Sequence, residues 1–469
     1  MTNTVNMMVY AKIVDPDGVE DTLYLSNVPP QLAGVTSYGF KPIILKNGGG
    51  RAKYRIDPTT PRVSFTLGQI KLATSYYDAS TDLLDLDLVG YRIITGAYWN
   101  GVAAAPSYGT IIAIGGESDG TVTIDVELEN ASALKEQFPT DRYDASTMGV
   151  NFPANNDNRI IPWLEGRPQN VTPVLIDKVN FEYQISSNAI TVDDVRDAGY
   201  TTSYTTTGAG TGCFKLSSSI TPDSIITADA YASDGAHTYS YITDIIENMF
   251  DKTSASCNVT SNLDVVGGIY LDSETTIANV LDYICRGTLC YWYQSGSSTY
   301  YIRQHDAPGT ASELITPHIV IGNIKWKYSD FRVWGCDVYY LKNYTVQQQL
   351  AASADVDEAE YFRSEGLVAS YENTTYQTST ARRLKLESII YSESDAEDIA
   401  ELAVTLFGPE RKILELTIII PTPANYISLG ADVAILGYSD DDLDGTYVCW
   451  GSDLYMQDGY LFQKLVLWG

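Results

Sequence analysis

The sequence predicts an α+β chain, predominantly β and divided among several domains of barrel or sandwich type with a smaller helix-plus-hairpin region. Three observations carry that expectation. Two-residue apolar alternation recurs from one end to the other, and Tyr, Thr, Ile and Val are abundant, with 35 tyrosines in all. Apolar residues at helical spacing are confined to a few short stretches. At 469 residues the chain is too long for one ordinary domain and suggests three or four. A 44% hydrophobic composition lets each bury a core.

Residues 1–150 read as an N-terminal β domain. Stretches 9–13, 63–67 and 121–128 alternate as half-buried strands do. Asp15-Pro-Asp-Gly18 and Glu117-Ser-Asp-Gly120 are turn tetrapeptides whose glycine supplies positive φ, and Asn47-Gly-Gly-Gly50 reads as a flexible loop. Residues 151–175 read as a connector: Phe152-Pro153, Ile161-Pro-Trp-Leu-Glu-Gly-Arg-Pro168 and Thr172-Pro173 are too proline-rich for a central strand.

Residues 176–350 form the mixed region. Ile242, Ile245, Ile246, Met249 and Phe250 share one helix face, and Ile277, Val280, Leu281 and Ile284 share another. A hairpin follows, from Leu289-Cys-Tyr-Trp-Tyr to Thr299-Tyr-Tyr-Ile-Arg across Gly296 and its serines. Residues 351–380 are polar and acidic, a helix or loop linking domains. Residues 381–469 form a C-terminal β domain with one leading helix, whose apolar face is Ile399, Leu402, Ala403 and Leu406. Ser394 and Glu397 fit a capping box at its start, and Gly408-Pro409 stops it. Strands at 413–420, 432–436, 446–450 and 460–467 finish the chain.

Charge narrows the function classes. With 30 basic and 59 acidic residues the formal charge is -29, which repels phosphate backbones and argues against stable nucleic-acid binding. Such a charge keeps a Tyr-rich protein soluble, and it could also furnish an acidic lumen through which DNA slides. Cysteines 213, 257, 285, 290, 336 and 449 show no CxxC spacing, so free and mostly buried thiols in a reducing compartment are expected. The start, MTNTVNMMVY, lacks the basic and apolar regions of a signal peptide. No stretch approaches the ~20 apolar residues of a membrane span. The expectation is a protein made and assembled in the cytoplasm, with no membrane partner in free form.

No catalytic, cofactor-binding or metal residue is singled out. His237, His305 and His318 stand in no metal-ligand spacing, and no nucleophile elbow is present. His305, before Asp-Ala-Pro, reads as a surface turn. Gly208-Ala-Gly-Thr-Gly212 imitates a phosphate loop without its lysine or helix and reads as a loop between strands. Asp440, Asp442, Asp444 and Gly445 match the first half of a calcium loop. Its twelfth position is Gly451 where a bidentate Glu is needed, so an acidic hairpin turn is the preferred reading and calcium the other.

The order of elements resembles the hub proteins of long-tailed phage tail tips. Ile225-Ile-Thr-Ala-Asp-Ala precedes a helix, then come Thr276-Ile-Ala-Asn-Val-Leu-Asp-Tyr-Ile, the aromatic hairpin, and Asp337-Val-Tyr-Tyr-Leu-Lys-Asn-Tyr-Thr-Val-Gln347. A second similar stretch runs from Arg382 to Trp468, through Leu429-Gly-Ala-Asp-Val and Gly445-Thr-Tyr-Val-Cys-Trp-Gly451, with Ala431 inserted between Gly and Asp. Residues 161–177 are similar to a connector in the same proteins, and the N-terminal 150 fit more loosely.

The resemblance implies a virion structural protein with β domains shaped like tail-tube subunits, and not an enzyme. It implies a homotrimeric baseplate hub reconciling a six-fold tube with three-fold tip components and lining the path of DNA during ejection. Its implied neighbours are a distal tail or tail tube protein, the tape-measure protein, and a fibre or spike protein. No cofactor is implied: relatives with an iron–sulfur cluster use a C-terminal cysteine quartet, where this chain has Cys449 alone. A tail-associated cell-wall hydrolase and a carbohydrate-binding adhesin are the alternatives. The first would need catalytic motifs, and the second would more often show repeats or a secretion signal.

Overall fold

The computed structural model describes residues 7–14, 23–26, 44, 52–73, 88–99, 102–116, 121–128, 134, 137–207, 212–217, 225–232, 241–253, 255–295, 299–356, 358–421, 425–438, 442–457 and 460–469. The turns expected at 15–18, 47–50, 117–120 and Gly296 lie outside them. The class is α+β and predominantly β, in several sheets.

In the N-terminal unit, Leu23–Ser26, Met7–Val14, Arg92–Trp99, Val102–Gly116, Thr121–Leu128 and Thr60–Ala73 lie side by side in that order, each antiparallel to the next. Alternation turns Ala11, Ile13, Ile93, Val122 and Ile124 into one core. Ile44 reaches across the gap between the outer strands: its N–H donates to Ser26 O at 2.8 Å and it bridges Leu72. The sheet thus curls around its core.

The C-terminal unit follows a similar plan. Val320–Tyr328, Lys412–Ile420, Tyr460–Trp468, Gly445–Gln457, Asp432–Ile435 and Glu313–Ile315 are neighbours in that order. Leu414, Leu416, Ile418, Val433, Ile435 and Leu465 fill its core. Gln463, buried there, is held on both sides of its amide: Nε2 donates to Ile427 O and Ser452 Oγ, and Oε1 accepts from Ile427 N–H. The two units share one sheet. Ala52–Asp57 pairs with Gly445–Gln457, in a register running from Arg55 opposite Gly451 to Ala52 opposite Leu454.

Between them lies the helical body. Helices α1 (Ile242–Phe250), α2 (Ile277–Gly287) and α3 (Glu393–Phe407) bury the apolar faces their spacing predicts, except that Leu402 of α3 is only half-buried while Ala396, Ala400 and Val404 are buried. The α3 cap differs from the expected one. Ser392, not Ser394, is the N-cap and accepts from Asp395 N–H at 3.2 Å, because the helix begins two residues earlier than the apolar spacing suggested. After α2 the hairpin Cys290–Ser295/Thr299–Gln304 packs Trp292, Tyr300 and Ile302 into the central core.

The proline-rich and acidic stretches are both packed. Trp163–Gly166 pairs with Gly268–Leu271, and Gly166, at φ +71°, meets that strand so closely that a Cβ would lie 2.1 Å from Gly267 O. From the acidic stretch, Leu367–Glu372 pairs with Val333–Tyr340, which also pairs with Arg382–Glu387. Phe362 and Ala369 anchor it in the interior.

A buried polar network joins these segments. Asn170 donates its N–H to Asp229 Oδ1 and its Nδ2 to Asn343 Oδ1, both at 2.8 Å. Asn343 Nδ2 in turn donates to Phe362 O and Ser364 O. Arg196, nearly fully buried, pairs with Asp229 at 2.8 Å and Asp194 at 2.9 Å and lies over the Phe362 ring. Arg196→Met should leave Asp229 a buried, half-compensated charge and cost about 3–5 kcal/mol in urea unfolding. Lys464→Met, which breaks the half-exposed 3.4 Å pair with Glu415, should cost less than about 1 kcal/mol.

Candidate assembly interface

Of the residues that chemistry would use, His305, Cys285 and Cys290 line one cavity of about 200 Å³ beside the end of α2. His305 is buried, not in a surface turn, and is ringed by Tyr291 at 5.0 Å, Phe407 at 5.9 Å and Trp450 at 6.2 Å. Its backbone N–H donates to Leu289 O, so the end of the hairpin strand carries the ring inward; a histidine before Asp-Ala-Pro gives no such signal in sequence. His318 is exposed, and His237 lies outside the described residues. Cys285 and Cys290 are buried near the end of α2, and burial raises both thiol pKa values, that of Cys290 to about 12. No cysteine is in a disulfide.

Gly212 ends the loop between the paired strands Tyr204–Thr207 and Cys213–Leu216, the rest of that glycine run lying outside the described residues. Asp440 lies outside them too. Asp442 is committed to Lys412 at 2.8 Å, and Asp444 accepts from Tyr438 N–H. Among the described residues no group of three or more His, Cys, Asp or Glu could hold a metal. No helix among them is long and apolar enough to cross a membrane.

The surface offers something else. Val320–Tyr328 ends the long sheet, and among the described residues it pairs on one side only, with Lys412–Ile420. Such an edge presents unpaired N–H and C=O groups, and natural proteins keep edges short, charged or covered. This one is nine residues long and exposes Ile321, Trp326 (45%) and Tyr328 (50%). Trp326 and Tyr328 meet edge to face at 5.5 Å, with the Lys412 ammonium 5.3 Å from the Trp326 ring. Lys412 is steadied by Asp442, whose carboxyl that hydrogen bond holds below its usual pKa.

Leu314 and Leu436 are also exposed in this unit, where Leu436 N–H donates to Ile315 O. Val320–Tyr328, Lys412–Ile420 and Tyr460–Trp468 together hold four lysines (325, 327, 412 and 464) against one acid, Glu415, with Asp442 on Lys412 as a second acid beside them. On a chain of net charge -29 this is a local reversal of sign. In the sequence this stretch carries apolar residues at both parities, two lysines and no acid.

No protein-family model matches the sequence, and a search of curated proteins finds no match either. Among solved structures the chain is similar to a tail protein from Neisseria meningitidis, at 10% identity and a TM-score of 0.47, over 99% of this chain and 96% of that one. It is similar to the 43 kDa tail protein of prophage MuSo2 from Shewanella oneidensis, at 9% identity and a TM-score of 0.46, over 98% of each. The prophage tail protein gp18 from Listeria monocytogenes is similar at 7% identity and a TM-score of 0.44, over 98% of this chain and 94% of that one.

The buried histidine gives a pH prediction. Burial lowers the His305 pKa from 6.5 to about 4, so the fold holds the neutral ring while the unfolded chain takes up a proton below 6.5. Its contribution is complete above pH 6.5, falls as pH drops from 6.5 to 4, and falls no further below. Chemical unfolding across that window should show a shallower loss for His305→Phe than for the parent.

Proposed function

We propose that this chain is a structural, non-enzymatic hub of a phage tail tip or baseplate. In this reading three copies form a ring that joins a six-fold tail tube to three-fold tip components and lines the DNA conduit. One observation carries it: two curled β units, one at each end of the chain, joined through Ala52–Asp57 and Gly445–Gln457 into a single sheet. Three copies then supply six such units to a tube above, while the rest of each chain presents three-fold symmetry below. Cyclic closure makes the contacts heterologous and finite in number.

The order of motifs from Ile225 to Gln347 and from Arg382 to Trp468 supports the same reading. The tube or distal tail ring would lie above, the tape-measure protein within, and a fibre or spike below, in a particle assembled in the host cytoplasm. The Val320–Tyr328 edge is the contact we assign between copies. Its lysines suit an acidic neighbour, and a second copy of this chain is one. An acidic surplus along the bore would have to come from other faces. Buried area per contact should fall in the obligate class, above ~2,000 Å².

Native mass spectrometry of assembled tips should give a hub ring of about 155 kDa, three times 51.5 kDa. A dimer or hexamer in the tail would contradict the reading. Trp326→Asp with Tyr328→Asp should abolish the ring while leaving the monomer's unfolding midpoint nearly unchanged, since both side chains are half exposed. Zymography on peptidoglycan should show no cleared band. A band lost on substitution of one Asp or Glu would favour the hydrolase.

A further inference from the structure

We infer that the hollow beside the end of α2 receives the acidic segment around Val356 from a second copy of this chain. The inference rests on copies meeting in the ring proposed above, and it names the segment that reaches a neighbour's basic face. The hollow measures about 200 Å³. That is below the range of about 300–1,000 Å³ usual for small-molecule sites, and it suits a single side chain. Its floor is made of buried residues: Pro61 of an N-terminal strand, Cys285 of α2, Leu289 and Cys290 where the hairpin begins, and Leu386.

The rim is basic. Arg286, Arg382 and Lys385 stand on it, the described lining holds no acid, and none of the three cations is in an ion pair among the described residues. The Arg382 guanidinium lies 4.9 Å from the Phe331 ring, which also lines the hollow. Two acids nearby are already held: Asp57 by Thr59, and Asp337, opposite Lys385 in the ladder, by Arg383 and Ser370. The negative end of α2 is covered as well, Thr288 Oγ1 donating to Ile284 O at 2.9 Å. On a chain with 59 acids and 30 bases this is a focus of positive charge over an apolar floor.

The occupant must bring an apolar side chain for the floor and acids for the rim. Among the exposed large apolar residues described, Val356 alone has an acid on each side, Asp355 and Asp357. Residues 355–360 hold four acids and no base. Val356 is 85% exposed, so it does not fill the hollow of its own chain. Buried Phe362 and the 3.7 Å pair of Glu358 with Arg196 fasten the segment to its own copy. The hollow also adjoins the Val320–Tyr328 edge. Phe331 stands three residues past Tyr328, and between them Ser329 N–H donates to Arg411 O at 2.8 Å. An apolar anchor ringed by charge pairs gives both burial and register. Each copy offers the hollow to one neighbour and Val356 to the other, the heterologous arrangement that a closed ring uses.

Tips assembled from full-length chains carrying Thr59→Cys and Val356→Cys, both at exposed positions, test the contact. A short bis-maleimide should join copies covalently, as seen on a denaturing gel, and neither single variant should do so. A labelled peptide of residues 351–360 should bind the purified full chain saturably at low salt and lose that binding at high salt. Lys385→Glu in the chain, or Val356→Asp in the peptide, should each weaken binding about tenfold. Absence of crosslinked copies overturns the inference, as does absence of peptide binding. Peptide binding that neither substitution weakens overturns it too. Peptide binding without crosslinks means that the hollow takes a segment of another protein, which overturns the second copy as occupant. A ring of threefold mass without crosslinks removes this contact and leaves the hub reading intact. Crosslinked copies in a ring of another mass remove the threefold ring and leave the contact.

Discussion

The pairing of Ala52–Asp57 with Gly445–Gln457 is the constraint on which the rest of the molecule depends. It brings together backbone from opposite ends of a 469-residue chain, so everything between must return to the same place. Closing so long a loop costs conformational entropy that four residue pairs of ladder would not offset alone. Side chains nearby complete the join. Asp282 of α2 accepts from Arg62 Nη2 at 2.8 Å and from Trp292 Nε1 at 2.7 Å, and the Arg62 guanidinium lies 4.9 Å from the Trp292 ring. One carboxylate thus ties an N-terminal strand to a central helix and to the aromatic hairpin. Ile56 and Val63 join the central core beside α2, and Trp450 stacks on Trp468 at 4.5 Å from the C-terminal side. The joint is a shared core with a ladder running through it.

The polar network around Asn170 and Asn343 does a different task. Apolar packing is tolerant of register, whereas a buried amide with fixed partners is not. Asn343 ties the segment after Val333–Tyr340 to the proline-rich stretch through Asn170 and to the acidic stretch through the carbonyls of Phe362 and Ser364. Each bond is modest, but together they fix the amides, Asn343 Oδ1 accepting from Thr345 N–H as well. Segments with little regular structure are therefore held in one arrangement.

What could be read in the sequence follows from this division. The helices were legible because period is local: Ile242, Ile245, Ile246 and Met249 declare a buried face without reference to anything distant. The strands at 121–128 and 413–420 were legible for the same reason. His305, Trp163 and Arg196 were not. Their environments are made by residues scores of positions away, so a histidine before Asp-Ala-Pro looks like a turn until Phe407 and Trp450 arrive around it. In the proline-rich stretch proline bars a central strand, and Trp163–Gly166 takes one partner, Gly268–Leu271. The resemblance to hub proteins rested on the order of such local elements and said little about which surfaces would be sticky.

Those surfaces bear on assembly through charge. In the proposed ring, three copies at -29 each would bring together a formal -87, and like charges crowded together oppose association. Two features moderate that cost. Physiological salt screens exposed charges beyond about 8 Å, so only groups near a contact matter. The Val320–Tyr328 strand itself also places two lysines and no acid where a neighbour would approach. An isolated chain gains little from exposing Trp326 and Tyr328 to water, and under the proposed contact would bury them only when a copy arrived in register. Repulsion at long range combined with a sticky, directional edge at short range favours association on a template over free association in solution. That is the behaviour a ring needs if it is to form only where a tube or tip awaits it.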